Sequence, residues 1–446
     1  MTSKVADLEK RLNDFDPAVR EEALAALIAK AESGAIDLPE QTQWHNMHCH
    51  SFFSYNGYGF SPTALAWKAR TLGLFAVGIV DFDVLDGVAE FLDAATRLGI
   101  RATAGIETRI HIPEFSRLEI NSPGEPGISY HMGVGFTANS PAEDAMLLKM
   151  RQLAQRRNRQ ILERVNSYLA PLSLDYEPEV MTLTPSGNPT ERHLCVAYEH
   201  KAKKFFPKAP QRAAFWAKRL GVTEERVSAI LDDPPAMQAL IRANTMKKGG
   251  VGYVVPDVTT FPDLEDFNQF VLDAHAVPTA TWLDGTSDGE QKMDELLSLE
   301  MESGTAALNI IPDRNWNIED PEQRSRKIDE LNKVIELATG KGLPIIVGTE
   351  MNAAGQRFVD DFDSDALKPH LATFARGAQI IYAHTRVADA GLGFCSEWAK
   401  THFADAGARN DFYATIGERL GPADPLPALD TDSTPESLLE SITSAA

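Results

Sequence analysis

The sequence predicts an α/β barrel, a parallel sheet with helices outside it, preceded by a helical extension and interrupted by a helical insertion. Three observations predict it. Between Trp44 and Glu107, apolar runs of strand length alternate with helical stretches across short connections, as in parallel strands joined by outer helices. The same alternation resumes at Val277. Between the two halves, residues 141–246 show no strand alternation and read as helix almost throughout.

In chain order, residues 4–33 read as two amphipathic helices broken at Asp16-Pro17, because proline is tolerated only in the first turn of a helix. Their expected use is to cover one end of the next domain. Trp44–His50 is a short strand. Ser61-Pro62 then opens a helix with a serine cap and a proline at the first helical position, and Gly73 closes it. Leu74–Asp81 is an apolar strand, Asp86–Leu98 a helix and Ile100–Glu107 another apolar strand. The later strands are Val277–Leu283, Thr305–Ile311, Pro344–Glu350 and, as an additional one, Gln379–His384. The insertion differs in charge: residues 145–220 hold 14 Lys/Arg against 6 Asp/Glu, in a chain whose net charge is −21. From Pro422 onward there is no Lys or Arg, and the richness in Pro, Ser, Thr and Asp predicts a loose tail. The expected division is 1–42 helical extension, 43–137 first part of the barrel, 138–254 helical insertion, 255–420 second part with a C-terminal extension, and 421–446 flexible acidic tail.

With 446 residues, 43% hydrophobic and 24% charged, the composition is that of a folded globular protein rather than a disordered one. The net negative charge argues against broad duplex nucleic-acid binding and against an anionic membrane surface. The longest largely apolar run, Thr71 to Val80, is half the length of a spanning helix, and the N-terminus is too polar for a signal peptide. Cys49, Cys195 and Cys395 do not form a disulfide framework, so a reducing cytoplasm is the expected compartment.

His48 and His50 stand two apart at the end of the first strand, where a period of two puts both imidazoles on one face and turns Cys49 to the other. Eleven histidines in 446 residues produce such a pair by chance about one time in four, so the context has to carry the argument. Asp81 and Glu107 end the next two strands. Carboxylates at successive strand ends beside two imidazoles suggest a shared cation, at the end of a barrel where sites are built.

The runs His48-Cys-His50-Ser-Phe-Phe-Ser54, Val80-Asp81-Phe82-Asp83-Val-Leu-Asp-Gly87 and Gly105-Ile-Glu107 resemble the first motifs of the PHP (polymerase and histidinol phosphatase) superfamily. His131-Met-Gly-Val-Gly-Phe136, Gln155-Arg-Arg-Asn-Arg159, Thr190-Glu-Arg-His193 and Lys248-Gly-Gly-Val-Gly-Tyr253 resemble its branch that hydrolyses nucleotides and trims short nucleic acids from the 5′ end. The resemblance spans roughly residues 44–360. It implies a distorted (β/α)7 PHP barrel with an inserted helical subdomain and an N-terminal helical extension, and phosphate ester hydrolysis at a metal cluster.

The chain departs from that pattern at four ligand positions, which are occupied by Tyr55, Phe82, Trp282 and Asn352. By analogy with the family, the losses at Tyr55, Phe82 and Asn352 empty one metal site. The core ion is then expected on His48, His50, Glu107 and Glu350, with His131 supporting a second ion and Asp81 orienting the surroundings. Trp282 is expected to fill the volume of a lost ligand. Such imidazole and carboxylate donors suit Zn²⁺, Mn²⁺ or Fe²⁺, as one or two ions. His193 is expected to act in catalysis or, with Arg156 and Arg159, to hold the substrate phosphate. Those two arginines share a face of one helix and Arg157 points elsewhere.

His384, at the end of the additional strand, could replace a lost ligand, although a hydrogen-bonded core histidine is the commoner outcome. His111 reads as structural, and Cys195 and Cys395 as small buried residues. Two functions follow from the residues together with the resemblance. One is a metal-dependent hydrolase acting on a phosphorylated small molecule or short oligonucleotide. The other is a degenerate barrel that binds a phosphorylated ligand or a protein partner without turnover.

Overall fold

The computed structural model describes residues 2–140, 144–256, 259–426 and 430–445, which divide into two compact units. The first unit is the barrel, made of residues 1–51, 56–144 and 262–446. Its strands are β1 (His45–Cys49), β2 (Ala76–Phe82), β3 (Arg101–His111), β4 (Ile128–Phe136), β5 (Val277–Trp282), β6 (Ala307–Ile310) and β7 (Ile345–Val347), paired in chain order in one sheet. The sheet closes past the end of β7. There Cys49 bridges to Glu350, with the His50 N–H donating to the Glu350 carbonyl at 2.7 Å and the Glu350 N–H to the His48 carbonyl at 2.8 Å. No helix among the described residues is long and apolar enough to cross a membrane.

The sheet is mixed rather than parallel. β4 runs antiparallel to both β3 and β5, and all other pairs are parallel. The sequence reading had no strand at 128–136. Almost every residue of β4 is buried, so no polar/apolar alternation marks it, and Gly133 and Gly135 lower its strand propensity. Gly135 is required where it stands: its φ is +82°, and a Cβ there would collide with the His384 ring.

The additional strand Gln379–His384 is instead part of a 17-residue helix, Leu371–Val387. A short apolar run suits a buried helix as well as a buried strand, and residues 380–384 are all buried. Gly377 lets this helix lie against the backbone of β7, where a Cβ would meet the Ile345 carbonyl. Thr385 meets Thr103 near the start of β3, so the helix seals the end of the barrel at which the parallel strands begin.

The expectation of a loose tail over 421–446 fails for its C-terminal part, residues 427–429 lying outside the described residues. Pro435–Ala445 is a helix, and its Leu438 and Ile442 join the core formed with Ile380, Tyr413 and Ile416. Burying two such side chains contributes roughly 1.5–3 kcal/mol each, which outweighs the polar composition.

At the other terminus the break at Asp16-Pro17 is present, with the Asp16 carboxylate capping the second helix. The extension docks on the outer helices of the barrel. Trp67 Nε1 donates to Glu9 at 3.0 Å, and the buried Arg20 Nε donates to Glu90 at 2.8 Å. The second unit, residues 52–55 and 145–261, is helical and has its own core around Val165, Leu194, Tyr198, Trp216 and Ile241. That Phe52–Tyr55 belong to it has no signal in local sequence.

Candidate metal centre

β1 delivers His48 and His50 to one point. Its register against β2 shifts between Asn46 and Cys49, an irregularity of the kind that re-aims side chains beside sites. The two Nε2 atoms lie 3.4 Å apart. Glu107 of β3 completes the group, with Oε2 3.1 Å from His50 Nε2 and 3.5 Å from His48 Nε2, yet in no hydrogen bond of acceptable geometry. All three side chains are buried, and one donor atom from each lies within 4.8 Å of the others. Asn309 of β6 places its Oδ1 3.3 Å from His48 Nδ1 and so sets the ring's orientation. Phe82, in register with Glu107, stacks on His50 with centroids 4.2 Å apart.

Burial opposes ionisation of Glu107, but the neighbouring His48 and His50 outweigh it and hold the carboxyl at about 2. Burial likewise opposes a charge on His48, yet the Glu107 carboxylate, with Glu350 and Asn309, leaves its pKa raised. Two imidazole nitrogens and an unpartnered carboxylate oxygen aimed at one buried point make an unstable arrangement unless a proton or a cation sits among them. The donor set fits a divalent transition metal.

The other proposed ligands are placed differently. The Glu350 backbone lies on the seam, but its Oε2 accepts Arg314 Nη2 at 2.7 Å and Gln356 Nε2 at 3.1 Å. It is not in the three-residue cluster. Glu350 and Met351 both have left-handed backbones (φ 62° and 59°), as does Asp83 (φ 61°) beyond β2. Asp83 accepts Thr108 Oγ1 at 2.6 Å, and its N–H donates to the Glu107 carbonyl. Three residues in that sparse region around one cluster are the strain expected where structure serves a site.

Asp81 is in register with Ile106, not Glu107, so its carboxylate lies on the other face. It accepts the Ser51 N–H at 2.7 Å and the Ser51 hydroxyl at 2.6 Å, which fixes the turn after His50. His131 also faces away. It is in register with Thr108, its Nε2 lies 2.8 Å from Asn268 Oδ1, and its Nδ1 is 3.7 Å from Glu300 Oε1. Trp282 is paired with Ile310, whereas the site-facing Asn309 pairs with Thr281, so the indole fills space outside the site. A second ion on His131 therefore has no support: among the described residues His48, His50 and Glu107 form the single such group.

His384 lies at the sealed end, where Nδ1 accepts the Phe394 N–H at 2.9 Å, and burial holds its pKa near 4. It cannot replace a lost ligand. His111 pairs with Asp263 at 3.0 Å, and Cys195 is buried beside Met246.

The second unit holds the remaining candidates. His193 is buried, with its Nδ1 accepting the Thr190 N–H at 3.0 Å, and desolvation lowers its pKa to about 3. Tyr55 stands edge-on to it at 5.0 Å, with Arg192 over the Tyr55 ring. Arg159 is engaged locally, stacked on Tyr176 at 4.1 Å and paired with Glu177 at 2.6 Å, while Arg156 is exposed.

Sequence reasoning missed Asn309, Arg314, Gln356 and Asp83. The rule that sites gather at the ends of parallel strands could have pointed to Asn309 and Arg314.

No known family description matches the chain. Over 68 residues, 15% of the chain, it is 35% identical to an error-prone DNA polymerase of Cutibacterium acnes, and the match spans 6% of that protein. Among solved structures it is similar to an amidohydrolase from Chromobacterium violaceum with sulfate bound (TM-score 0.49, 16% identity, 74% of this chain and 95% of that one). It is also similar to a protein of Bifidobacterium adolescentis named as a metal-dependent phosphoesterase (TM-score 0.45, 17% identity, 76% and 98%). The PHP superfamily is compatible with the short polymerase match and with the seven-stranded sheet closed through Cys49 and Glu350.

Proposed function

We propose that this chain is a metal-dependent hydrolase of the PHP class, acting on a phosphate ester of a nucleotide or short oligonucleotide. The observation that carries the reading is the buried convergence of His48, His50 and Glu107, with the Glu107 Oε2 lacking a hydrogen-bond donor. Zn²⁺, Mn²⁺ or Fe²⁺ held there would polarise a phosphoryl oxygen and make water more acidic. His48 and His50 would bind through Nε2, Asn309 holds the His48 ring, and Phe82 walls one side and excludes solvent from His50. Glu350 stays beside the cluster as an acid tied to Arg314. In this reading one ion suffices.

Binding without turnover is the rival reading. Phe82 stacked on His50 and His131 turned outward favour it, since both remove ligands that a larger cluster would use. Elemental analysis of the purified chain and of His48→Ala separates the two. About one equivalent of metal lost with the substitution, together with metal-dependent turnover of phosphate esters, supports the hydrolase. No metal after reconstitution, with thermal stabilisation by a nucleotide, supports the binding protein.

A further inference from the structure

β6 runs directly into a single helical turn, Asp313–Trp316, which carries Arg314 to the end of the barrel where the cluster lies. The turn is clamped at two points. The fully buried Asn315 donates through Nδ2 to the Leu283 carbonyl at 3.1 Å and the Ile311 carbonyl at 3.2 Å, and Trp316 Nε1 donates to Asp360 Oδ1 at 3.2 Å. Arg314 is thus placed by its neighbours rather than by its own contacts.

Its single hydrogen bond among the described residues goes from Nη2 to Glu350 Oε2, and Gln356 shares that same oxygen. A guanidinium that served only to neutralise a carboxylate would favour the side-on geometry with both oxygens. Here four of five N–H donors are uncommitted and 43% of the side chain is exposed. The carboxylates of Glu350 and Glu107 both act on its charge, so it shares one electrostatic field with the triad. Among the described residues no second ligand cluster supplies further positive charge, because His131 and Trp282 face away.

We infer that Arg314 binds an oxyanion of the substrate beside the triad, supplying through its free N–H fork the positive charge that a second metal would otherwise provide. The inference rests on the hydrolase reading, because it needs a substrate oxyanion at the cluster. A planar fork matches two oxygens of a phosphoryl group, and the clamped turn keeps it in position before the substrate arrives.

The test uses the full chain, with and without its metal, and inorganic phosphate as the probe, followed by calorimetry and thermal shift, with acetate as the carboxylate comparison. Arg314→Gln is expected to weaken phosphate binding by about tenfold or more, and Arg314→Lys by about threefold, with metal content per chain unchanged. Phosphate binding at wild-type strength in Arg314→Gln overturns the proposal, as does loss of the metal in that variant, which would make Arg314 a structural counter-ion. Tighter binding of acetate than of phosphate also overturns it.

Should Arg314→Gln fail to fold, Glu350→Gln decides. Removing the competing carboxylate charge is expected to tighten phosphate binding severalfold, and unchanged or weaker binding overturns the proposal. A wild-type chain that takes up no metal, yet loses phosphate binding in Arg314→Gln, sinks the hydrolase reading while upholding the anion site.

Discussion

The barrel buries two histidine–glutamate groups, and they behave in opposite ways. At the seam, Glu107 lies 3.1 and 3.5 Å from two imidazoles, its carboxyl held at about 2 and the His48 pKa raised. Across the sheet, His131 and Glu300 are 3.7 Å apart, and burial drives them the other way, the imidazole to about 4 and the carboxyl to about 8. Burial is nearly complete in both, so desolvation alone does not separate them. The difference is how many groups converge. Glu107 faces two nitrogens that can be charged or can ligate, whereas His131 has given its Nε2 to Asn268 and offers one distant nitrogen. Two donors converging on an acid make a group that could hold a cation; one donor at longer reach leaves two neutral groups in the core.

The contrast breaks most visibly at Glu107. Glu107→Gln is expected to lower metal affinity by about 100-fold or more and to abolish metal-dependent phosphatase activity. Elemental analysis beside a turnover assay checks both, and unchanged turnover would sink the hydrolase assignment. His131→Ala is the matched control across the sheet. It should cost about 2–4 kcal/mol in urea unfolding through the cavity it leaves, with metal content untouched.

Glu300 sharpens the comparison through pH. Its folded pKa is raised from 4.5 to about 8, so the folded state keeps a proton that the unfolded chain releases, and stability falls as pH rises across that interval. Glu300→Gln should flatten this slope and exceed wild type by on the order of 3 kcal/mol above pH 8. Equal slopes for the two proteins would show that Glu300 is not buried neutral.

At the seam the signs are reversed. The depressed Glu107 adds stability above its ordinary 4.5 that is lost as pH falls toward about 2. The raised His48 adds stability below 6.5 that is lost as pH rises past its folded pKa. The metal-free chain should therefore gain most from this pair between pH 4.5 and 6.5, and metal uptake, which needs neutral imidazole, should strengthen as pH rises above that window. Titrating metal affinity against pH checks this.

A smaller effect is expected at Asn309, where Asn309→Ala frees the His48 ring and should weaken metal binding about tenfold. Smallest of all, substitution of the exposed Arg156 by alanine should leave stability within about 0.5 kcal/mol in urea unfolding.

Strong local signals in the sequence correspond to elements that formed. Ser61-Pro62 caps a helix with the Ser61 hydroxyl accepting the Ala64 N–H, Asp16-Pro17 breaks the extension, and the first three strands fall within a few residues of their expected spans. His48 and His50 were legible as a pair because strand period two is a property of adjacent residues. β4 and the helix over 371–387 were not, because a segment buried on all sides carries no amphipathic period to distinguish strand from helix.

The sequence by itself determined that the chain alternates strands and helices around an inserted basic helical region, and that two imidazoles stand at the end of the first strand; Glu107, expected to end the third, lies inside β3, which runs on to His111. Tertiary structure alone decided which of the acids and histidines share a face. Asp81 and Phe82 differ by one position, and pairing with β3 turned the phenyl, not the carboxylate, toward the cluster. His131 went outward because β4 runs antiparallel in a register set by β3 and β5, and Arg314 arrived from a turn more than 200 residues beyond Glu107. A one-residue change of register reverses every side chain in a strand, and register is fixed by partners far away in the chain.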